Sequence, residues 1–143
     1  MTSKQIFKDI SIGLLGGLTT AWLDQNIISL IVGEGPSMKP TFLPNSILLV
    51  KKFGFKDNLK KGDIVLTKTT YDDQTIVAKR ISGLPGEEIK INDHKNMRLS
   101  KNYYYLLGDN LDQSFDSRHY GPIPVQIMQG KVIGILYPKF TFF

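Results

Sequence analysis

The sequence predicts a mainly β fold: an antiparallel sheet domain over residues 33–143, preceded by an apolar N-terminal helix over residues 1–32. Three observations predict it. Short β-branched and aromatic runs recur from residue 46 to residue 137, Gly, Pro, Asn and Asp punctuate them, and an uncharged run lies near the N-terminus. At 143 residues and 41% hydrophobic content, the chain suits a single sheet domain with material for a core.

Residues 10–32 are long enough to cross a ~30 Å hydrocarbon layer as a helix. Asp24, Gln25 and Asn26 interrupt that span, and a central Asp costs roughly 2.5 to 3.5 kcal/mol on insertion. The alternative is a helix over 6–23 followed by a separate strand, 27–32, that enters the sheet. The favoured reading is a helix that enters the membrane and breaks near Asp24. Lys4 and Lys8 precede the apolar run, which by the positive-inside rule keeps the N-terminus on the matrix or cytoplasmic side. Gly13 and Gly17 form a small-xxx-small pair that would let a second helix approach. Because the run leads straight into the segment around Ser37, removal as a signal peptide is not expected.

Beyond residue 32 the expected strands are 46–51, 63–68, 75–81, 88–91, 103–107 and 131–137. Turn signals such as Leu84-Pro85-Gly86 and Asn92-Asp93 separate them. Aromatic groups in Phe53-Gly54-Phe55 and Tyr137-Pro138-Lys139-Phe140 suit either core or a lipid interface, and core or chain-end packing is the expectation for most of them.

Three segments carry candidate chemistry. In Gly35-Pro36-Ser37-Met38-Lys39-Pro40-Thr41, prolines fix φ on either side of a serine and bias Lys39 toward extended geometry, so the hydroxyl sits on a stiff segment. A turn serine explains the same residues, and serine is inert until a base lies within reach. Lys79 is the candidate base. In the strand 75–81 it shares a face with Val77 and Ile81, and an ammonium on an apolar face loses solvation, which lowers its pKa toward neutrality. A solvated strand lysine is the alternative. The third segment, Gly108-Asp109-Asn110 with Ser114-Phe115-Asp116-Ser117-Arg118, reads by itself as a polar turn with a surface ion pair between Asp116 and Arg118.

Together the segments resemble the type I signal peptidase family of Ser-Lys proteases. The nucleophile box matches Pro36-Ser37-Met38-Lys39-Pro40-Thr41, and a second box matches Gly62-Asp63-Ile64-Val65. The lysine box matches Lys79-Arg80-Ile81 with Gly83-Leu84-Pro85-Gly86, and the last box matches the segment from Gly108 to Arg118. Tyr120-Gly121-Pro122-Ile123-Pro124, directly after that box, is most similar to the mitochondrial inner membrane peptidase branch, subunit 1 type.

The resemblance implies a coiled antiparallel β-sheet catalytic domain, shared with self-cleaving Ser-Lys repressors, behind a membrane-associated N-terminal helix. It implies that Ser37 attacks the scissile carbonyl, that Lys79 takes its proton, and that Ser114 orients the amine. Asp116 and Arg118 would be a structural pair. Some bacterial members carry a serine two residues before the nucleophile, where this chain has Gly35, so the oxyanion hole would rest on backbone N–H groups of Ser37 and Gly35. The implied substrates are membrane-inserted precursor proteins losing signal or sorting peptides. The implied partners are membrane lipids and a related second catalytic subunit in a heterodimer. The implied location is the mitochondrial inner membrane with the catalytic domain facing the intermembrane space, or else a bacterial cell membrane.

Composition limits the alternatives. No cysteine means no disulfide, no Cys-ligated zinc and no thiol nucleophile, and no metal or cofactor is expected. His94, in a polar turn, and His119, beside Arg118, lack the context of a Ser-His-Asp triad. The net charge of +5 is spread over Lys51-Lys52, Lys60-Lys61 and residues 98–101 without a nucleic-acid module, so no nucleic-acid partner is expected. A basic surface would suit anionic headgroups. A self-cleaving repressor would need a DNA-binding domain that the apolar first 30 residues do not supply. A membrane-tethered β module without catalysis, with Lys79 fully charged, is the other alternative.

Overall fold

The computed structural model describes residues 8–10, 28–70, 75–92 and 95–143. Its main sheet contains β1 (Lys8–Ile10), β2 (Ile28–Gly33), β3 (Ser46–Lys51), β4 (Ile64–Lys68), β5 (Ile76–Gly83), β8 (Tyr103–Leu107), β9 (Ile123–Pro124), β10 (Met128–Tyr137) and β11 (Thr141–Phe142). The order is β1-β2-β3-β10-β4-β5-β8-β9, with β11 added to β10, and every pairing is antiparallel. β6 (Glu88–Asn92) and β7 (Lys95–Arg98) form a separate two-stranded ribbon.

The expected strands are found with ends shifted by three residues or fewer. β7, β9 and β11 were not expected. Each is short and ends at charged, proline or aromatic residues that break the alternation by which a strand is recognised.

β10 is the longest strand because it serves two neighbours, pairing β3 along one edge and β4 along the other. Register shifts between Met128 and Gly130 and again beyond Val132 bend it, so the sheet curls instead of lying flat.

The N-terminal expectation is corrected where the chain is described. Ile28–Gly33 is a strand paired with β3 along its whole length, so residues 10–32 are not one helical span and the sheet begins before residue 33. The physical reason is the pattern: alternate residues of β2 are buried, and Ile31 reaches the core. Lys8–Ile10, expected inside a helix, instead pairs with β2. The rest of the expected anchor, including Gly13, Gly17 and Asp24, lies outside the described residues, as does His94. Among the described residues no helix is long and apolar enough to cross a membrane.

Two apolar clusters pack on the sheet. One holds Ile31, Met38, Phe42, Leu48, Val50, Ile64, Leu66, Ala78, Val132 and Ile135. The other holds Phe55, Val65, Ile81, Leu106, Ile123 and Met128. β4 feeds both, Ile64 and Leu66 into the first and Val65 into the second, which makes it a central strand buried on both faces. The aromatic expectation divides: Phe55 is core, whereas Phe53, Tyr137, Phe140, Phe142 and Phe143 are exposed. At the C-terminal end Phe140 and Phe142 meet each other edge to face, with ring centroids 5.0 Å apart, and neither joins an apolar cluster of the sheet.

Candidate active site

Leaving β2, the chain turns through Gly35 at φ +85°, a conformation that glycine adopts without the clash a Cβ would bring. Residues 37–41 are turned, not extended as the prolines alone suggested. Lys39 N–H donates to the Pro36 carbonyl at 3.1 Å and Phe42 N–H to the Met38 carbonyl at 3.1 Å. Met38 anchors the turn as a fully buried side chain, and Ser37 itself is only 3% exposed.

Lys79 is among the largest fully buried side chains of the protein. It lies opposite Val65 in the β4–β5 register and two residues before Ile81, as the strand period predicted. Its amine donates to the Ala78 carbonyl at 3.0 Å and to Ser37 Oγ at 3.0 Å. Two residues 42 positions apart thus meet as a hydroxyl and an amine in hydrogen-bond contact. Burial pulls the amine down from 10.5 to about 8, against the opposing pull of the Asp116 and Asp109 carboxylates, which favour its charged form. A substantial neutral fraction therefore exists just above neutral pH, and a neutral amine can accept a serine proton.

The loop after β8 closes over this pair. Asn110 N–H donates to the Ser37 carbonyl at 2.9 Å, and Asn110 Nδ2 to the Pro36 carbonyl at 3.3 Å. Gly108 is obligatory at this crossing, because a Cβ there would lie 2.1 Å from Ser114 Oγ and 2.7 Å from the Ser37 carbonyl oxygen.

Asp116 is fully buried and caps a short helix, α1 (Ser117–Tyr120). Its carboxylate takes Arg118 Nε at 2.8 Å and Nη2 at 2.9 Å, together with the N–H groups of Gly108 and Arg118. Burial alone would raise this acid, but the Arg118 guanidinium and these N–H groups hold it below the usual carboxylate range. Arg118 Nη2 also donates to the Leu111 carbonyl at 2.7 Å, tying the loop's start to its end. His119 accepts from Asp116 N–H through Nδ1 and stacks on Phe115, which gives it a capping task.

Ser114 is buried but does not bond Lys79. Its hydroxyl has no hydrogen bond of ordinary geometry among the described residues, although it lies near enough to Asp116 to help hold that acid low.

One set of contacts was not anticipated. Asp109 takes Arg80 Nε at 2.7 Å and Arg80 Nη2 at 2.6 Å, and it accepts a hydrogen bond from Thr41 Oγ1. Arg80 Nη2 also reaches Thr41 Oγ1 at 3.1 Å, and its Nη1 donates to the Gly62 carbonyl at 2.6 Å. The signal was present as three polar residues, each inside a motif already singled out. Their pairing depends on tertiary geometry that spacing does not reveal.

The model of the family described as "Signal peptidase, peptidase S26" matches residues 10–100 and 92–137. The mitochondrial ATP-independent inner membrane protease subunit 1a of Arabidopsis thaliana is 31% identical over 150 aligned residues, covering 99% of this chain and 89% of its own. Mitochondrial inner membrane protease subunit 1 of Schizosaccharomyces pombe is 36% identical over 111 residues, 73% of this chain and 71% of its own. Signal peptidase I V of Bacillus subtilis is 31% identical over 140 residues, 72% of this chain and 80% of its own.

Proposed function

The chain belongs to the signal peptidase family, peptidase S26, and from that premise we propose that it is a membrane-attached serine endopeptidase with Ser37 as nucleophile and Lys79 as general base. The observation that carries this reading is the 3.0 Å contact between Lys79 Nζ and Ser37 Oγ, with the amine buried. Neutral Lys79 accepts the Ser37 proton as Oγ attacks the scissile carbonyl. The tetrahedral oxyanion is held by backbone N–H groups of Ser37 and Gly35, donors that cost no reorganisation during the reaction. The ammonium then protonates the leaving amine, and the acyl-enzyme is released when the neutral amine activates water. Ser114, unbonded to Lys79 in this structure and next to Asp116, would orient the amine by turning its hydroxyl toward it during turnover. An extended substrate segment lies beside the Ser37 turn, held by main-chain hydrogen bonds to strand edges.

The substrates in this reading are membrane-inserted precursors that lose a signal or sorting peptide. The names of the plant and fission-yeast relatives favour the mitochondrial inner membrane and, as subunits, pairing with a second related chain; in this reading the catalytic domain faces the intermembrane space. In this reading lipid headgroups meet the basic surface. The Bacillus subtilis relative favours a second reading, a bacterial type I signal peptidase with the same chemistry.

Incubating the purified full chain in detergent with precursor proteins, followed by sequencing of new N-termini, tests the assignment. The unaltered protein cuts at defined sites, whereas Ser37→Ala and Lys79→Ala each lower the rate by at least 10³-fold while remaining folded. Full activity in Lys79→Ala would falsify the dyad, and an inert wild-type protein would leave a β module without catalysis.

A further inference from the structure

We propose that Thr41, Asp109 and Arg80 form a positioning triad that fixes the Ser37 turn against the strand carrying Lys79; this rests on the Ser37–Lys79 reading and deepens it. Arg80 is the next residue after the base, and Thr41 lies four residues after the nucleophile. Asp109 joins them, with one oxygen on Arg80 Nε and the other shared by Arg80 Nη2 and Thr41 Oγ1. The third edge closes through Arg80 Nη2 and Thr41 Oγ1 at 3.1 Å.

This is a planar, charge-assisted fork and not a single contact, so it fixes orientation as well as distance. Arg80 is itself held at its far end by the Gly62 carbonyl. Between Thr41 and Ser37 the backbone is an internally bonded turn, so displacement at Thr41 is carried to the hydroxyl. Asn110, the residue after Asp109, fixes the Ser37 carbonyl from the other side. The triad thus joins the neighbour of the base to the neighbour of the nucleophile, where a 1 Å error costs on the order of 10²-fold in rate.

A positioning role differs from a merely structural one in its readouts. The charged groups around the Lys79 amine are Asp116, paired with Arg118, and Asp109, paired with Arg80. Both carboxylates favour the protonated amine, so neutralising Asp109 lets Lys79 lose its proton at lower pH.

The test uses the full-length protein in detergent and an internally quenched peptide chosen from a mixture by the unaltered enzyme. Thr41→Val keeps the shape and removes the hydroxyl. It is expected to lower kcat at least tenfold with KM within twofold, and Thr41→Ser is expected to restore kcat to within threefold of wild type. Asp109→Asn is expected to lower kcat and to move the acid limb of the kcat/KM–pH profile downward by at least ~0.3 unit. Unchanged kcat in Thr41→Val, or an unmoved acid limb in Asp109→Asn, overturns the triad while the dyad stands. Activity retained in Ser37→Ala, or no peptide cut by the unaltered protein, overturns the dyad and the triad with it.

Discussion

Two carboxylate–guanidinium pairs flank Lys79, and they hold different things together. Asp116 and Arg118 stand two residues apart on one loop, and the Asp116 side chain is 0% exposed, so this pair builds the interior of its own loop and caps α1. Asp109 and Arg80 stand 29 residues apart on different elements, and with Thr41 they join three segments. The Asp109 side chain remains 15% exposed. A local pair with a buried carboxylate makes a loop; a distant pair with a part-exposed carboxylate sets one loop against another. The first difference should appear mainly in stability, the second mainly in rate.

The largest expected effect separates the pairs by stability. Asp116→Ala leaves the Gly108 N–H and the Arg118 N–H without their acceptor, while the Arg118 guanidinium still reaches water, and should cost about 2–4 kcal/mol in denaturant unfolding. Asp109→Ala, where water reaches the site, should cost only about 1–2 kcal/mol. Equal unfolding midpoints for the two variants would break the comparison.

Gly108→Ala probes the junction between the pairs. The added Cβ meets Ser114 and the Ser37 carbonyl, so a loss of about 1–3 kcal/mol is expected from overpacking, with a fall in kcat as the turn is pushed away. A stable variant with full activity would show that the loop can part from the turn without consequence.

Ser114→Ala should be the mildest. Its hydroxyl makes no ordinary hydrogen bond among the described residues, so unfolding should shift by less than about 1 kcal/mol while cleavage falls only partly. An unchanged rate would remove its orienting role.

The same contrast explains what the sequence discloses. The Asp116–Arg118 pair is legible because both partners lie within one turn of chain, where spacing limits what can meet. Lys79 is legible as a buried amine because strand alternation puts it on the face of Val77 and Ile81. Strands 46–51 and 103–107 are legible to the residue, since β-branched and aromatic runs end there at clear turn signals. Asp109, Arg80 and Thr41 are visible as residues but not as partners, because the curl of the sheet decides which loops cross. β2 is legible only as the less favoured of two readings: its apolar residues continue an apolar run, and pairing with β3 decides for the strand over the span.

Ionisation of Lys79 links stability to catalysis. Its pKa lies below the ordinary 10.5, so stabilisation from the neutral amine is fully present above pH 10.5 and is lost as pH falls through about 8. The gap corresponds to about 3 kcal/mol at ~1.4 kcal/mol per unit. The most direct test is NMR titration of the Lys79 Nζ resonance in the folded full-length protein, with Lys79→Met used for assignment. The account predicts a midpoint near 8 that coincides with the rise of kcat/KM. A midpoint near 10.5 would contradict it, because the amine beside Ser37 would then be an ammonium throughout the working range.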